Sequence, residues 1–261
     1  MTTPTAIRRI RRKLGELVWR FRLRSRPLRT DPRLGMETLV RWLATPGATY
    51  SFEEIRRIRE SCLARDRRPP DRRQSGSTRV EDGTFLYLLV RKLRPRTIFE
   101  VGTLIGTSAS TMALAQAENG EGGVVCTVDG SYGGFEPLPG QAIRCFPGQR
   151  SHVALETMRV ENRRIDLLFV DGTIGRADVE VLNEVRSPEL VVALHDYKPP
   201  LDKGLRNAWL LSRHFEGAAG AVWVLPERQG RGYPLDGDLF VNSSIAVLLP
   251  EPVAERIVRS R

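Results

Sequence analysis

The sequence predicts a doubly wound α/β fold: a seven-stranded, mostly parallel sheet with one antiparallel strand, preceded by an N-terminal helical extension. Three observations carry that prediction. From residue 81 onward, short apolar runs alternate with amphipathic helical patterns, as they must when helices cover both faces of a parallel sheet. The first run ends in a glycine-containing turn, Gly102-Thr103-Leu104-Ile105-Gly106, that opens directly into a helical pattern. Charge is divided unevenly: residues 1–33 hold 11 Lys+Arg against 2 Asp+Glu, whereas the remainder holds 30 against 29. A basic leader with its linker, residues 1–78, is thus set apart from a near-neutral body, residues 79–261.

The elements follow in order. In the leader, Ile7, Ile10, Leu14, Leu17, Val18 and Phe21 recur at helical spacing, and basic residues such as Arg8, Arg12, Lys13 and Arg20 occupy the other faces. Pro27 and Pro32 end that helix. A second helix is expected over 34–44, closed by Pro46-Gly47. A third starts at Ser51, where Ser51-Phe52-Glu53-Glu54 has the form of a capping box ahead of Ile55, Ile58 and Leu63. The stretch 67–78, rich in Pro, Arg, Gly and Ser, reads as a linker. The body reads as helix 81–93, strand 97–101, helix 106–117, strands 124–128 and 142–146, helix 152–160, strand 165–170, helix 177–185, strand 190–194, helix 205–215, and strands 221–225 and 244–249. No helix separates the last two strands, so one runs antiparallel. The segment between them, 226–242, has the length and glycine content of a lid.

Composition narrows the function. Cys62, Cys126 and Cys145 are far apart and form no C-x-x-C pair, which argues against a disulfide framework or a zinc knuckle and for reduced thiols in a cytoplasmic setting. No apolar stretch approaches the length of a membrane span, and the basic N-terminus lacks the apolar region of a secretory signal. A net charge of +10 points toward nucleic acid, but the near-neutral body and the lack of a reading module argue against that partner. Two readings of the leader stand. It lies on an anionic membrane through residues 7–26, with Trp19 and Phe21 at the interface, or it packs its apolar stripe on the body or on a partner subunit of a homo-oligomer.

Ligands of open α/β sheets bind at the carboxyl ends of the strands, and four strand ends here carry chemistry. After the first, Gly102 permits a sharp turn, and Gly106 begins a helix whose free N–H groups suit a carboxylate or phosphate. Thr103, Thr107 and Ser108 lie in this run, and Thr107 and Ser108 bring hydroxyls to the helix start. The turn is not G-x-G-x-x-G, because Leu104 and Ile105 stand where a pyrophosphate needs small residues. Glu100 suits a cationic amine. The second strand ends in Val128-Asp129-Gly130, an acid placed to accept both hydroxyls of a ribose. The third and fourth end in Val170-Asp171-Gly172 and Leu194-His195-Asp196. Two carboxylates and an imidazole on neighbouring tips suit a hard divalent ion, with Asp171 and Asp196 as the ligands. His195, whose ordinary pKa is near neutral, is the candidate base; a structural or metal-ligand role is its alternative.

The run Ile98-Phe99-Glu100-Val101-Gly102-Thr103-Leu104-Ile105-Gly106-Thr107-Ser108 resembles the first motif of class I S-adenosylmethionine-dependent methyltransferases. It is most similar to the branch of catechol O-methyltransferase-like and macrolide-sugar O-methyltransferase-like enzymes. The resemblance spans about residues 81–249 and implies a Rossmann-like domain that transfers a methyl group to a small-molecule hydroxyl. It implies that Glu100, Gly102, Gly106 and Ser108 surround the methionine part of S-adenosylmethionine and that Asp129 holds the ribose; Thr103, Thr107, Gly130 and Asp171 complete the expected cofactor set, and Asp171 is with His195 a candidate catalytic residue. It places Gln149 near adenine, at a position where an Asp is usual. It also implies magnesium at Asp171 and Asp196, as in the family's metal-dependent members. The chain departs from the family after Asp171: Thr173-Ile174-Gly175-Arg176 replaces the usual D-H-S-Y, so that histidine is absent, and Ile174 also occupies the place of the catechol-type lysine, so no family base carries across. Two other classes remain as rivals, a nicotinamide-dependent oxidoreductase and a non-catalytic or membrane-associated protein that keeps the fold. His152 and His214 read as structural or surface residues. Tyr197, Lys198 and Lys203 read as a Pro-rich solvated loop near the substrate mouth.

Overall fold

In the computed structural model of the chain, the described residues are 18, 21–22, 27–44, 50–68, 77–130, 134–197, 202–226, 233–234, 240–241 and 244–260. The apolar runs become strands β1 (Thr97–Val101), β2 (Val124–Asp129), β3 (Ile143–Pro147), β4 (Ile165–Val170), β5 (Arg186–Leu194), β6 (Val222–Val224) and β9 (Ala246–Leu249). They form one seven-stranded sheet in the order β3-β2-β1-β4-β5-β9-β6. β9 pairs antiparallel with both β5 and β6, and the other ladders are parallel. Strand order reverses between β1 and β4, which opens a crevice at their carboxyl ends.

Alternate residues of each strand serve opposite faces, which is why the runs are apolar throughout. Ile98, Leu167, Phe169, Val191 and Ala193 join the core beneath one helical layer. Phe99, Val101, Leu168, Val170, Val192 and Leu194 join the core beneath the other. The first layer holds α1 (Met36–Leu43), α2 (Phe52–Ala64), α3 (Val80–Leu93), α4 (Thr107–Asn119) and α8 (Glu251–Arg259); the second holds α5 (Ser151–Val160), α6 (Arg176–Val185) and α7 (Asp202–Ala219). α1 and α2, which the sequence groups with the leader, send Met36, Leu39, Val40, Leu43 and Ile55 into the same core as α3 and α4. Upstream of α1, Arg29 and Thr30 run beside the edge strand β6: Trp223 N donates to Arg29 O at 2.8 Å. That contact covers backbone groups an edge strand would otherwise expose.

Several local expectations are corrected. The capping box at Ser51 does not form: Ser51 makes no side-chain cap bond, and its hydroxyl donates instead to Glu118 Oε1 at 2.5 Å. β5 starts at Arg186, earlier than the expected residue 190. The segment expected as a lid contains a short hairpin, β7 (Tyr233–Pro234) with β8 (Phe240–Val241), and Tyr233 is buried in the first core. α8 was not foreseen, although Val253, Ala254 and Ile257 mark its buried stripe and Pro252 suits its first turn. The leader helix over 7–26 lies outside the described residues except for Val18, Phe21 and Arg22, where the two apolar side chains are exposed. Among the described residues no helix is long and apolar enough to cross a membrane. The three cysteines are free thiols.

Candidate functional site

A cleft of about 1180 Å³ lies over the carboxyl ends of β1, β2, β4 and β5. Its floor is built from backbone. Gly102 has φ 105° and donates its N–H to Val128 O at 2.9 Å, while Gly172 N donates to Val101 O at 2.6 Å. A Cβ on Gly102 would stand 2.6 Å from Gly172 N, so only glycine lets the tips of β1 and β4 meet here. Leu104 adopts φ 46°, uncommon for a non-glycine residue, and its N–H donates to Asp129 Oδ2 at 2.9 Å. That bond ties the β1 turn to the tip of β2.

Next to Asp129 the wall is formed by Gly130, Gln149, Arg150, Ser151 and His152, and it continues through Thr173 and Gly175 to Asp178. Asp178 Oδ2 accepts from Gly175 N at 2.6 Å, which closes the start of α6. Two buried acceptor oxygens of this wall, Gln149 Oε1 and Asp178 Oδ1, have no hydrogen-bond partner among the described residues. A buried oxygen without a donor is costly, so a donor that reached either atom would stabilise it.

The β4–β5 end is arranged differently. His195 sits between carboxylates: Nδ1 is 2.8 Å from Asp171 Oδ1, and Nε2 is 3.3 Å from Asp82 Oδ2. Asp196 Oδ1 lies 3.6 Å from Nδ1. Burial opposes charge on this imidazole, but its hydrogen bonds to Asp171 and Asp82 and their negative charges outweigh it, and the pKa is pushed up to about 10. Asp171 is desolvated as well, yet His195 and Lys203 hold its carboxyl below the usual range. Asp82, from the first turn of α3, is in turn fixed by Ser244 N at 2.8 Å and by the Ser244 hydroxyl at 3.3 Å. Lys203 Nζ reaches Asp196 Oδ2 at 2.8 Å and Asp171 Oδ1 at 3.1 Å, and also donates to Asp171 O.

Neither a protein-family model nor a curated protein matches the chain. Solved structures do. The O-methyltransferase TomG from Streptomyces achromogenes, involved in tomaymycin synthesis and solved with SAM, shares 17% identity over 80% of this chain and 94% of its own, with a TM-score of 0.51. A methyltransferase from Geobacter sulfurreducens shares 16% identity over 84% of this chain and 98% of its own, also with a TM-score of 0.51. The fold is that of the class I methyltransferases.

In this methyltransferase fold, five of the ten expected cofactor residues line the cleft: Gly102, Asp129, Gly130, Gln149 and Asp171. The other five do not. Glu100 is wholly buried beneath the floor, where it accepts hydrogen bonds from the Ser108 and Thr127 hydroxyls. Thr103 Oγ1 extends that chain, 2.5 Å from Thr127 Oγ1. Burial pushes the Glu100 carboxyl up to about 8, against the two hydroxyl bonds that hold it down. The physical reason is register: Glu100 pairs with Thr127 inside the ladder, whereas Asp129 projects past the last β1–β2 pair. Thr107 faces Ser77, whose hydroxyl is 3.3 Å away. Gly106, with φ 77°, has the Phe135 ring against it: a Cβ there would come 2.0 Å from that ring.

His195, expected as a near-neutral base, sits between two carboxylates that favour its protonated form. His152, read as a structural or surface residue, lines the cleft; Lys203 lines it as well, from the first turn of α7 rather than from a solvated loop. Lys198 lies outside the described residues. Asp82 and Ser244, which come from distant segments, carry no local signal in the sequence, and neither does Asn207. Buried in α7, Asn207 holds the loop after β4 through Gly172 O at 2.9 Å and Ile174 N at 3.3 Å.

The two groups implied by the family fare differently. The glycine floor, the Asp129 tip and the two unpartnered acceptors fit S-adenosylmethionine, whose adenine amino group is a donor. The magnesium position does not fit as arranged. Asp171, His195 and Asp196 bring three ligand atoms within 4.8 Å of one another, but Lys203 already pairs with both aspartates, and both ring nitrogens of His195 lie against carboxylates.

Proposed function

We propose that the chain is an S-adenosylmethionine-dependent methyltransferase that methylates a hydroxyl of a small molecule. The observation that carries this reading is the joined pair of strand tips. Gly102 turns tightly enough for Leu104 N to reach Asp129 Oδ2, and Gln149 Oε1 and Asp178 Oδ1 in the same wall have no partner among the described residues. A carboxylate at that tip suits a ribose, and acceptors beyond it suit an amino-substituted base. The side chains at Leu104 and Ile105 disfavour the pyrophosphate that a nicotinamide reading requires.

S-adenosylmethionine would supply an electrophilic methyl group. The residues of the chain bind, orient and exclude water. Asp129 and the Gly102 turn fix one end of the cleft, and the buried floor keeps water from beneath it. Asp82, Asp171 and Asp196, locked by His195 and Lys203, form a rigid acidic wall at the other end. His195 already holds a proton between two carboxylates, so the hydroxyl proton would pass to solvent as the S–CH3 bond gives way to O–CH3, and the rate would rest mainly on holding the acceptor hydroxyl in line and close.

Calorimetry with S-adenosylmethionine tests this. Asp129→Ala is expected to weaken binding about 10- to 100-fold, the worth of hydrogen bonds to a charged group. Equal affinity in parent and variant removes the ribose assignment. Thermal stabilisation by NAD and not by S-adenosylmethionine favours the oxidoreductase. Tight cofactor binding with no turnover across a broad panel of hydroxyl acceptors favours the non-catalytic protein.

A further inference from the structure

We infer that Lys203 is a built-in cation that takes the place of a divalent metal ion at the acidic end of the cleft, so that the protein works without one. The inference takes its meaning from the methyltransferase reading, but the geometry behind it does not depend on that reading.

Asp171 and Asp196 stand at the tips of adjacent strands, the arrangement that suits a hard cation with oxygen ligands. The position between them is filled by Lys203 Nζ, 3.1 Å from Asp171 Oδ1 and 2.8 Å from Asp196 Oδ2. An ammonium has three donors, and the third goes to Asp171 O. The remaining candidate ligand, His195, has both ring nitrogens on carboxylates, Nδ1 on Asp171 and Nε2 on Asp82. A divalent ion between the two aspartates would meet the ammonium there, and the like charges exclude one another.

The backbone is shaped to put the lysine in this place. Asp196 adopts φ 59°, which turns the chain back at the end of β5. Gly204 follows Lys203 in the first turn of α7, and a Cβ on it would come 2.4 Å from Asp196 O. The glycine therefore lets the helix start press against the strand tip. Asn207, one turn on, ties the same helix to the loop after β4 through Gly172 O and Ile174 N. Both aspartate tips are thus referenced to the helix that carries the lysine.

The chemical consequence is specific. A bound ion keeps open positions that a substrate oxygen can enter. An ammonium with all three donors spent on the protein has none. Lys203 neutralises the carboxylates and fixes them without touching the acceptor, and is therefore a positioning residue.

The test is a Mn2+ titration of the full chain followed by electron paramagnetic resonance, for the parent, Lys203→Met and Lys203→Arg. The parent and Lys203→Arg are expected to leave Mn2+ free at millimolar concentrations. Lys203→Met is expected to bind at least about tenfold more tightly, because a like charge has gone, with Mg2+ competing and Asp196→Asn abolishing the gain. Tight Mn2+ binding by the parent that Asp196→Asn removes overturns the inference. So does a folded Lys203→Met that binds no better than the parent. If Lys203→Met does not fold, the parent titration decides alone: binding at Asp196 overturns the inference, and free Mn2+ upholds it. Calorimetry with S-adenosylmethionine on the same parent sample judges the methyltransferase reading separately, since lack of cofactor binding leaves the Mn2+ result standing.

Discussion

The two ends of the cleft solve opposite problems with similar residues. At the β1–β2 end, Asp129 is tied to a backbone turn, and Gln149 Oε1 and Asp178 Oδ1 stand in a wall that leaves them unpartnered. At the β4–β5 end, Asp82, Asp171 and Asp196 are paired with His195 and Lys203. Among the described residues, the first end leaves two buried acceptors without donors, whereas the second pairs its carboxylates internally. An acidic strand tip therefore says little about binding until its partners are known: what distinguishes the ends is whether the protein has already supplied the opposite charge or donor.

The sharpest way to break this contrast is to remove the imidazole from the closed end. His195→Ala leaves Asp82 without its imidazole partner and strips Asp171 of one of its two. Breaking a buried pair from one side costs about 3–5 kcal/mol, so denaturant unfolding should show a fall of that order. A loss below about 1 kcal/mol means that the carboxylates are solvated and the end is not closed.

Glu100 tests where the boundary between binding surface and interior runs. Its carboxyl titrates near pH 4.5 when unfolded and is pushed up to about 8 by burial in the fold. The folded state thus holds the proton more tightly, and stability falls as pH rises from the first value to the second. A glutamine at this position does not titrate. Glu100→Gln should match the parent in unfolding free energy at about pH 5 and exceed it at about pH 9, by about 2 kcal/mol or more given roughly 1.4 kcal/mol per pKa unit. Affinity for S-adenosylmethionine should change less than about threefold, because the side chain lies beneath the floor; a loss of tenfold or more (about 1.4 kcal/mol) returns Glu100 to the binding surface.

These two residues also show what the sequence discloses. The order of strands and helices was legible because apolar runs and helical periodicity are local properties, and the tips Gly102, Asp129, Asp171 and His195 were legible as residues that end such runs. Whether an acid at a strand end faces ligand or core depends on its pairing: Glu100 lies opposite Thr127 within the ladder, and Asp129 lies one residue past it. Nothing in the local pattern distinguishes them. Asp82 was illegible for another reason. It reaches His195 across 113 residues and Ser244 across 162, so only the closed fold brings them together. Ser51 failed in the opposite direction. Its capping motif is local and well formed, but a tertiary partner, Glu118, competes for the same hydroxyl.

The smallest expected effect is also the most discriminating, because it carries two signs. Gln149→Leu removes a buried oxygen that has no donor among the described residues. If that oxygen awaits a ligand, its loss should leave the ligand-free protein as stable as the parent or raise it by up to about 1 kcal/mol, since an unsatisfied buried acceptor has been removed. The same change should weaken S-adenosylmethionine binding by about three- to tenfold, the worth of one neutral hydrogen bond. A merely structural glutamine gives the reverse pattern, lower stability with unchanged affinity. Melting curves with and without cofactor separate the cases in one experiment. A variant that loses both would show that the open end of the cleft, like the closed one, is held together by its own side chains.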